Sequence, residues 1–144
     1  MKILVFDDER IQVGLYLSLL RQIGVDLESV LPCFDLKSLK SMAKRIEHEE
    51  PFFVITDYNV GESKSGPRLV NEVLQEKKGR RFVICISAQD SSDVRREVEQ
   101  ETDMYIVKGS VAPDVLEATL KASLRDFEVK ITDGNEIESN RFRG

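Results

Sequence analysis

A short run of apolar residues that ends on a carboxylate constrains this chain more than any other feature. Residues 52–56 (Phe-Phe-Val-Ile-Thr) have no polar alternation and are followed directly by Asp57. A run of this kind is typical of a strand that is buried on both faces of a parallel sheet. Such sheets bind ligands at the carboxyl ends of their strands. The pattern therefore places Asp57 where a ligand site is expected, although an aspartate at a strand end can also serve only to cap the following loop.

Five short apolar runs alternate with segments of helical periodicity along the chain. In the first of these segments, Ile11, Leu15 and Leu19 recur at helical spacing through about Ile23 and predict a helix. Pro32 interrupts the second run and indicates an edge strand, because proline offers no donor to a neighbouring strand. The predicted strands are residues 3–6, 29–34, 52–56, 82–86 and 104–107. This alternation predicts an α/β fold with a doubly wound, five-stranded parallel sheet and helices on both faces.

The remaining helices differ in how much apolar surface they offer. Asp35 is the predicted N-cap of the second helix, whose apolar positions have a 3.6-residue period. The fourth helix is predicted to be capped by Ser91 or Ser92, and its thin apolar stripe of Val94 and Val98 suggests that it is mobile. The apolar positions of the second, third and fifth helices are Leu36, Leu39, Met42, Ala43 and Ile46, then Leu69, Val70, Val73 and Leu74, then Leu116, Leu120, Leu124 and Phe127.

The last predicted helix ends near Phe127, and the chain changes character after it. Val129 and Ile131 alternate with charged residues as in a strand, and mostly polar residues follow. We therefore predict one domain, residues 1–127, and a C-terminal tail or linker, residues 128–144, which could bind a partner as a strand.

The composition disfavours several classes of protein. A chain of 144 residues can bury a core as one domain without cross-links. The formal net charge of −5 disfavours direct binding to nucleic acid or anionic lipid. Cys33 and Cys85 lack metal-ligand spacing and are interpreted as reduced thiols. Because we find neither a signal-peptide core nor an apolar run of membrane-spanning length, we expect a cytoplasmic protein with no membrane partner.

Chemically active side chains follow four of the five predicted strands. They are Asp7, Asp8 and Glu9 after the first strand, Asp57 after the third, Ser87 after the fourth and Lys108 after the fifth. Two like charges about 4 Å apart repel by about 4 kcal/mol at an effective dielectric constant near 20, so clustered aspartates need a cation. Oxygen ligands without histidine or cysteine suit Mg²⁺. The Asp57 carboxylate could then attack a phosphodonor, with Lys108 and Ser87 stabilising the transferred group.

These residues resemble the motifs of the receiver domain of two-component response regulators, and the resemblance covers about residues 1–127. It implies a flavodoxin-like sheet with strand order 2-1-3-4-5. In that family the phosphoacceptor corresponds to Asp57. The resemblance further implies that Mg²⁺ is bound directly by Asp8 and Asp57, by the backbone carbonyl of Asn59, and mainly through water by Asp7.

The resemblance also implies a switch and a set of partners. The switch hydroxyl corresponds to Ser87, the switch aromatic to Tyr105 and the conserved lysine of the family to Lys108. Such a receiver takes phosphoryl from a sensor histidine kinase or a phosphotransfer protein. It is not an enzyme in the ordinary sense, since it catalyses only its own phosphorylation and slow autodephosphorylation. Its output would be a contact with a downstream protein that the sequence does not identify, and a dimer could form through the last helix region.

Two positions depart from the family pattern. The loop of residues 60–66 lacks the Met-Pro that usually follows the phosphoacceptor, and Gly109 replaces the proline that usually follows the lysine. A cis peptide bond costs about 2.5–4 kcal/mol before a residue other than proline. We therefore predict a trans Lys108–Gly109 bond, in a looser loop that still brings the lysine to Asp57.

Other interpretations of the same residues stay open at this point. A Mg²⁺-dependent phosphohydrolase of the haloacid dehalogenase kind would use Asp7 as its nucleophile, although Glu9 stands where that family has a second aspartate. An adaptor of the same fold would act without phosphorylation. Taken singly, Lys108 could be a solvated lysine, Ser87 a turn former and Tyr105 a packed strand residue.

Overall fold

The computed structural model describes the backbone of residues 1–143 and the side chains of residues 1–133. The elements, in chain order, are β1 (Lys2–Phe6), α1 (Arg10–Gln22), a 3₁₀ turn (Leu27–Ser29), β2 (Val30–Cys33), α2 (Leu36–Ala43), β3 (Phe52–Thr56), α3 (Gly66–Val73), β4 (Arg81–Ser87), α4 (Ser92–Glu101), β5 (Met104–Val107) and α5 (Pro113–Arg143). The chain divides into two compact units. The first is Met1–Val111, which holds the sheet and α1 to α4, and the second begins at Ala112 and consists of α5.

The five strands form one parallel sheet in the order β2-β1-β3-β4-β5. The predicted fold class and strand order are therefore confirmed. Pro32 lies in β2 at an edge of the sheet, as its missing donor requires. The register pairs Phe6 of β1 with Thr56 of β3, and Thr56 with Cys85 of β4. Asp7 and Asp57, which follow β1 and β3, consequently lie side by side at the carboxyl edge.

One face of the sheet is covered by α2 and α3. The apolar residues of this face form a core cluster with buried side chains of the two helices and of the residues that directly follow them, which are Leu39, Ala43, Ile46, Leu69, Val70 and Leu74. The caps follow the sequence signals: Asp35 and Ser38 form a capping box on α2, and Ser65 caps α3, which has Pro67 in its first turn. The predicted apolar periodicity of both helices is confirmed.

The buried face of α1 is not the stripe that its sequence first suggests. Ile11 is 83% exposed and Leu15 is 55% exposed, whereas Val13, Tyr16 and Leu20 are buried. Both sets recur at helical spacing, on nearly opposite faces of the helix. Periodicity alone cannot choose between two such stripes. The buried face depends on the rotation of α1 about its own axis, which is set by the short acidic loop after β1.

The expected strand-like tail is instead a continuation of α5. The helix starts at Pro113, as expected for proline in a first turn, and extends to Arg143. The alternation of Val129 and Ile131 was therefore misleading, because extending a formed helix costs far less than starting one. Gly144 and the side chains of residues 134–143 lie outside the described residues, so the linker or partner-binding role of residues 128–144 stays a prediction. Among the described helices, none is both long and apolar enough to cross a membrane.

Candidate functional site

Backbone hydrogen bonds that continue past the strand ends hold the acidic residues in place. The Asp7 N–H donates to the carbonyl of Cys33 at 3.1 Å, and the Asp57 N–H donates to the carbonyl of Phe6 at 3.0 Å. Both aspartates are therefore fixed by the sheet rather than by a free loop. Carboxylate oxygens of Asp7, Asp8 and Asp57 lie within 4.8 Å of one another. The structure thus brings together three acids from two neighbouring strand ends.

Asp7 is the buried member of this cluster, with none of its surface exposed. Its Oδ1 accepts a hydrogen bond from the Glu9 N–H at 3.0 Å. No group among the described residues hydrogen-bonds to its buried Oδ2, and the Lys108 Nζ lies 3.8 Å away, within ion-pair range only. Burial raises the pKa of Asp7 to about 6, and the nearby charge of Asp57 adds to this effect, while the Glu9 N–H and Lys108 oppose it.

Asp57 lies between a backbone donor and a lysine. Its side chain is 13% exposed. Oδ1 accepts a hydrogen bond from the Tyr58 N–H at 2.8 Å, and Oδ2 forms an ion pair with Lys108 Nζ at 3.4 Å. Lys108 is anchored in turn, because its N–H donates to the carbonyl of Ser87 at 2.8 Å. One carboxylate oxygen is thus oriented by the backbone and the other faces a cation.

The loop after Lys108 has the geometry predicted from its glycine. The Lys108–Gly109 bond is trans, and Gly109 has a positive φ of 84°, which glycine adopts without strain. The lysine still reaches Asp57 without the proline that is usual in the resembling family. The prediction of a trans bond is therefore confirmed.

A cleft of about 230 Å³ opens at this edge of the sheet. Its lining residues are Asp8, Glu9, Asp57, Asn59, Ser87, Ala88, Gln89 and Lys108. Asp7 does not line it. A ligand that enters the cleft therefore meets two carboxylates, Asp8 and Asp57, and the ammonium group of Lys108.

Two glycines let the loop between β3 and α3 close on the acids. Gly61 has a φ of 75°, and a Cβ atom there would lie 3.0 Å from Oδ2 of Asp8. A Cβ atom on Gly66 would collide with the backbone oxygen of Asp57. The Gly66 N–H also donates to the carbonyl of Tyr58 at 2.8 Å. Close backbone approach therefore shapes this loop, in which the Met-Pro pair of the resembling family is missing.

The two residues predicted to form the switch lie on the neighbouring strands β4 and β5. Ser87 is buried at the end of β4, where its Oγ accepts a hydrogen bond from the Gln89 N–H at 3.2 Å. Tyr105 packs against a small cluster of Cys85, Val94 and Val98. Its hydroxyl is buried, and no group in the described residues hydrogen-bonds to it. Ser87 thus borders the cleft, and Tyr105 lies beneath α4.

Sequence reasoning missed Tyr58, which joins the site to α4. Its hydroxyl is hydrogen-bonded to Glu97, a contact that raises the pKa of Tyr58 to about 12 because it favours the protonated phenol. Its ring belongs to the same cluster as Tyr105. A signal was present, since Glu97 lies three residues after Val94 and next to Val98, on the inward face of a predicted helix. A carboxylate in that position needs a polar partner.

The acid cluster fits a divalent cation. All of its donors are oxygens, the type that Mg²⁺ and Ca²⁺ prefer. Oδ2 of Asp7 is a buried acceptor to which no described group donates a hydrogen bond, and such an atom is costly unless a positive group satisfies it. Lys108 Nζ lies 3.8 Å from Oδ2 of Asp7 and 3.4 Å from Oδ2 of Asp57. Among the described residues, Asp8 has no comparable cationic partner. The cluster therefore has an excess of negative charge that a cation would balance.

Comparisons with known proteins identify the fold. No protein-family model matches the sequence, and no curated protein matches it. Solved structures do match. A response regulator receiver domain protein from Methanospirillum hungatei has a TM-score of 0.68 and 21% identity, and the match covers 90% of this chain and 97% of that one. Chemotaxis protein CheY4 of Vibrio cholerae has a TM-score of 0.65 and 20% identity over 84% of this chain and 96% of its own.

A third matching structure contains a modified aspartate together with bound ligands. It is a response regulator protein from Burkholderia pseudomallei that contains a phosphorylated aspartic acid, a calcium ion and citrate. Its TM-score is 0.56 and its identity 20%, with coverage of 88% of this chain and 72% of that one. Together these matches show that the present chain has the fold of response regulator receiver domains.

Proposed function

We propose that this chain is a phosphoacceptor receiver, which takes phosphoryl from a phosphohistidine donor onto Asp57 in the presence of Mg²⁺. The observation that carries the proposal is the position of the Asp57 carboxylate, which faces an open cleft between a second carboxylate, Asp8, and the Lys108 ammonium. Receiver-fold neighbours support it, since one of them contains a phosphorylated aspartic acid and a bound divalent ion.

In the proposed reaction, a carboxylate oxygen of Asp57 attacks phosphorus and forms a P–O bond. The P–N bond to the donor imidazole breaks at the same time, and its electron pair stays on the nitrogen, which takes up a proton. Oδ2 is the better placed attacking atom, because it faces Lys108, whereas Oδ1 is held by the Tyr58 N–H. The lysine then pairs with the phosphoryl oxygens, and the Ser87 hydroxyl supplies a further hydrogen bond.

Asp8 and Asp57 would hold the Mg²⁺ ion, together with the backbone carbonyl of Asn59, and Asp7 would contact it mainly through water. When bound, the ion neutralises the charge that would otherwise repel an anionic donor. Asp7 keeps the two ligands in place, because its buried carboxylate is tied to the Glu9 N–H and to the lysine. Output would pass through contacts with another protein.

The geometry favours Asp57 over Asp7 as the nucleophile. Asp7 is fully buried, its Oδ1 is engaged by a backbone donor, and it does not line the cleft. A phosphohydrolase that used Asp7 would need the incoming phosphorus to pass the outer acids. An adaptor without phosphorylation would have no use for a buried carboxylate oxygen left unsatisfied beside a lysine.

Radiolabelled acetyl phosphate separates these three functions. A receiver should take up at most one phosphoryl group per chain, with label that hydroxylamine removes, and EDTA should prevent the uptake. Rapid, continuing release of inorganic phosphate that is abolished in Asp7→Asn but retained in Asp57→Asn would instead show a phosphohydrolase. Absence of any Mg²⁺-dependent label on the wild-type chain would leave the adaptor.

A further inference from the structure

Glu97 of α4 is a partly buried carboxylate that three donors approach. Its side chain is 23% exposed. It accepts a hydrogen bond from the Tyr58 hydroxyl and one from Ser65 Oγ at 3.3 Å, and Arg68 Nε lies 3.7 Å away. The donors come from the residue after Asp57, from the N-cap of α3 and from its first turn. One carboxylate thus ties α4 to the loop that leaves the site.

Tyr58 is held at both its backbone and its side chain. Its N–H donates to Oδ1 of Asp57 at 2.8 Å, and its carbonyl accepts from the Gly66 N–H at 2.8 Å. Its hydroxyl is hydrogen-bonded to Glu97, and its ring packs against the cluster that contains Val94 and Val98 of α4. The path from the Asp57 carboxylate to α4 therefore consists of one residue with a hydrogen bond at each end.

The α4 helix is suited to respond to such a link. Within the described structure its buried side chains are Val94 and Val98, and its other ties to α3 are polar. A helix that buries little apolar surface opens or shifts at low cost, so loss of one charged hydrogen bond changes its position more than it would change that of a well-packed helix. Tyr58 and Tyr105 both pack against the cluster of Cys85, Val94 and Val98.

We propose that Tyr58 is a positioning residue that transmits the state of Asp57 to α4 through Glu97. The inference rests on the proposed function. An acyl phosphate has less negative charge on its remaining carboxyl oxygen than a carboxylate has, so phosphorylation weakens the bond from the Tyr58 N–H. Residue 58 then shifts, and its hydroxyl carries the shift to Glu97. This route is separate from the one through Ser87 and Tyr105.

The test uses amide chemical shifts of the full chain, with and without beryllofluoride and Mg²⁺ as a phosphoryl mimic. Tyr58→Phe keeps the packed ring and removes only the hydroxyl. We expect the amides of residues 57, 87 and 108 to respond as in the wild type, while the response of residues 94–101 falls by roughly twofold or more. Glu97→Gln should act in the same direction, and it provides a second measurement should the first variant fold poorly.

Asn71→Ala is the matched control. Asn71 Nδ2 donates to the backbone oxygen of Glu101 at 2.8 Å and to its Oε2 at 2.9 Å, so this variant removes a different tie between α3 and α4 and leaves residue 58 alone. The response of α4 should persist in it. An equal reduction in Asn71→Ala, or an unchanged α4 response in Tyr58→Phe, would overturn the inference. A wild-type chain whose site amides do not respond to the mimic would contradict the proposed function itself, and the inference with it.

Discussion

Helices α2 and α4 pack on the same face of the sheet but are held by different interactions. The α2 helix buries Leu39 and Ala43 in the apolar core, the turn after it buries Ile46, and the helix N-terminus carries a complete capping box. The α4 helix buries two valines and is otherwise tied to α3 by polar contacts to Glu97 and Glu101. Apolar contacts are insensitive to charge, whereas the polar ties depend on it. The contrast indicates that α4, and not α2, can respond to chemistry at the strand ends.

A substitution in the apolar core beneath α2 should destabilise the protein most. Leu39 is fully buried in α2, so Leu39→Ala removes buried methyl groups and leaves a cavity. We expect a loss of about 2–5 kcal/mol in the free energy of unfolding, measured by urea denaturation. A loss below about 1 kcal/mol would show that α2 is not anchored by its apolar face.

The buried acid of the site should give the metal-free protein an unusual pH dependence. The folded-state pKa of Asp7, about 6, lies above its ordinary value of 3.8. Between these values the folded state binds more protons than the unfolded state, so stability falls as the pH rises from about 4 to about 6. A difference of two pKa units corresponds to roughly 3 kcal/mol.

Asp7→Asn should remove most of this slope and should stabilise the metal-free protein at pH 7 but not at pH 4. Leu39→Ala should keep the slope, because α2 holds no part of the acid cluster. The free energy of unfolding of the wild type and of both variants is measured by urea denaturation in EDTA across this pH range. If the stability of the wild-type chain rises through the same pH range, ionisation of Asp7 does not destabilise the folded state.

Val98→Ala tests the weaker anchor of α4. The side chain is fully buried, and the substitution removes about two methylene equivalents, so we expect a loss of about 1–2 kcal/mol. Hydrogen exchange should localise this loss to residues 92–101, whereas Leu39→Ala should raise exchange across the sheet. Uniform exchange in Val98→Ala would contradict the view that α4 is a separately mobile element.

Much of the fold could be predicted from the sequence because buried parallel strands have a distinctive pattern. Runs without polar alternation located all five strands, and the N-caps at Asp35 and Ser91 located two helix starts. The buried face of α1 could not be predicted, since Ile11 and Leu15 compete with a second stripe at the same spacing. Nor could the end of α5, because a short alternating segment fits a strand and a helix equally well.

The candidate site was predictable to the extent that it depends on strand order. Parallel strands in register bring their carboxyl ends together, so Asp7, Asp57 and Lys108 had to be neighbours. Their unequal burial depends on loop geometry that no local pattern encodes. The same is true of Gly61, whose positive φ lets the backbone approach Asp8. The bond from Tyr58 to Glu97 depends on tertiary packing and was found only in the structure.

Phosphoryl transfer to Asp57 can be tested by peptide mapping after incubation of the chain with acetyl phosphate and Mg²⁺. Borohydride reduction converts an acyl phosphate to a stable alcohol, so the modified residue can be located by tandem mass spectrometry. We predict modification at Asp57 alone, lost in EDTA and in Asp57→Asn. Modification at Asp7 or Asp8 in the wild-type chain, or undiminished phosphorylation of Asp57→Asn, would contradict the account.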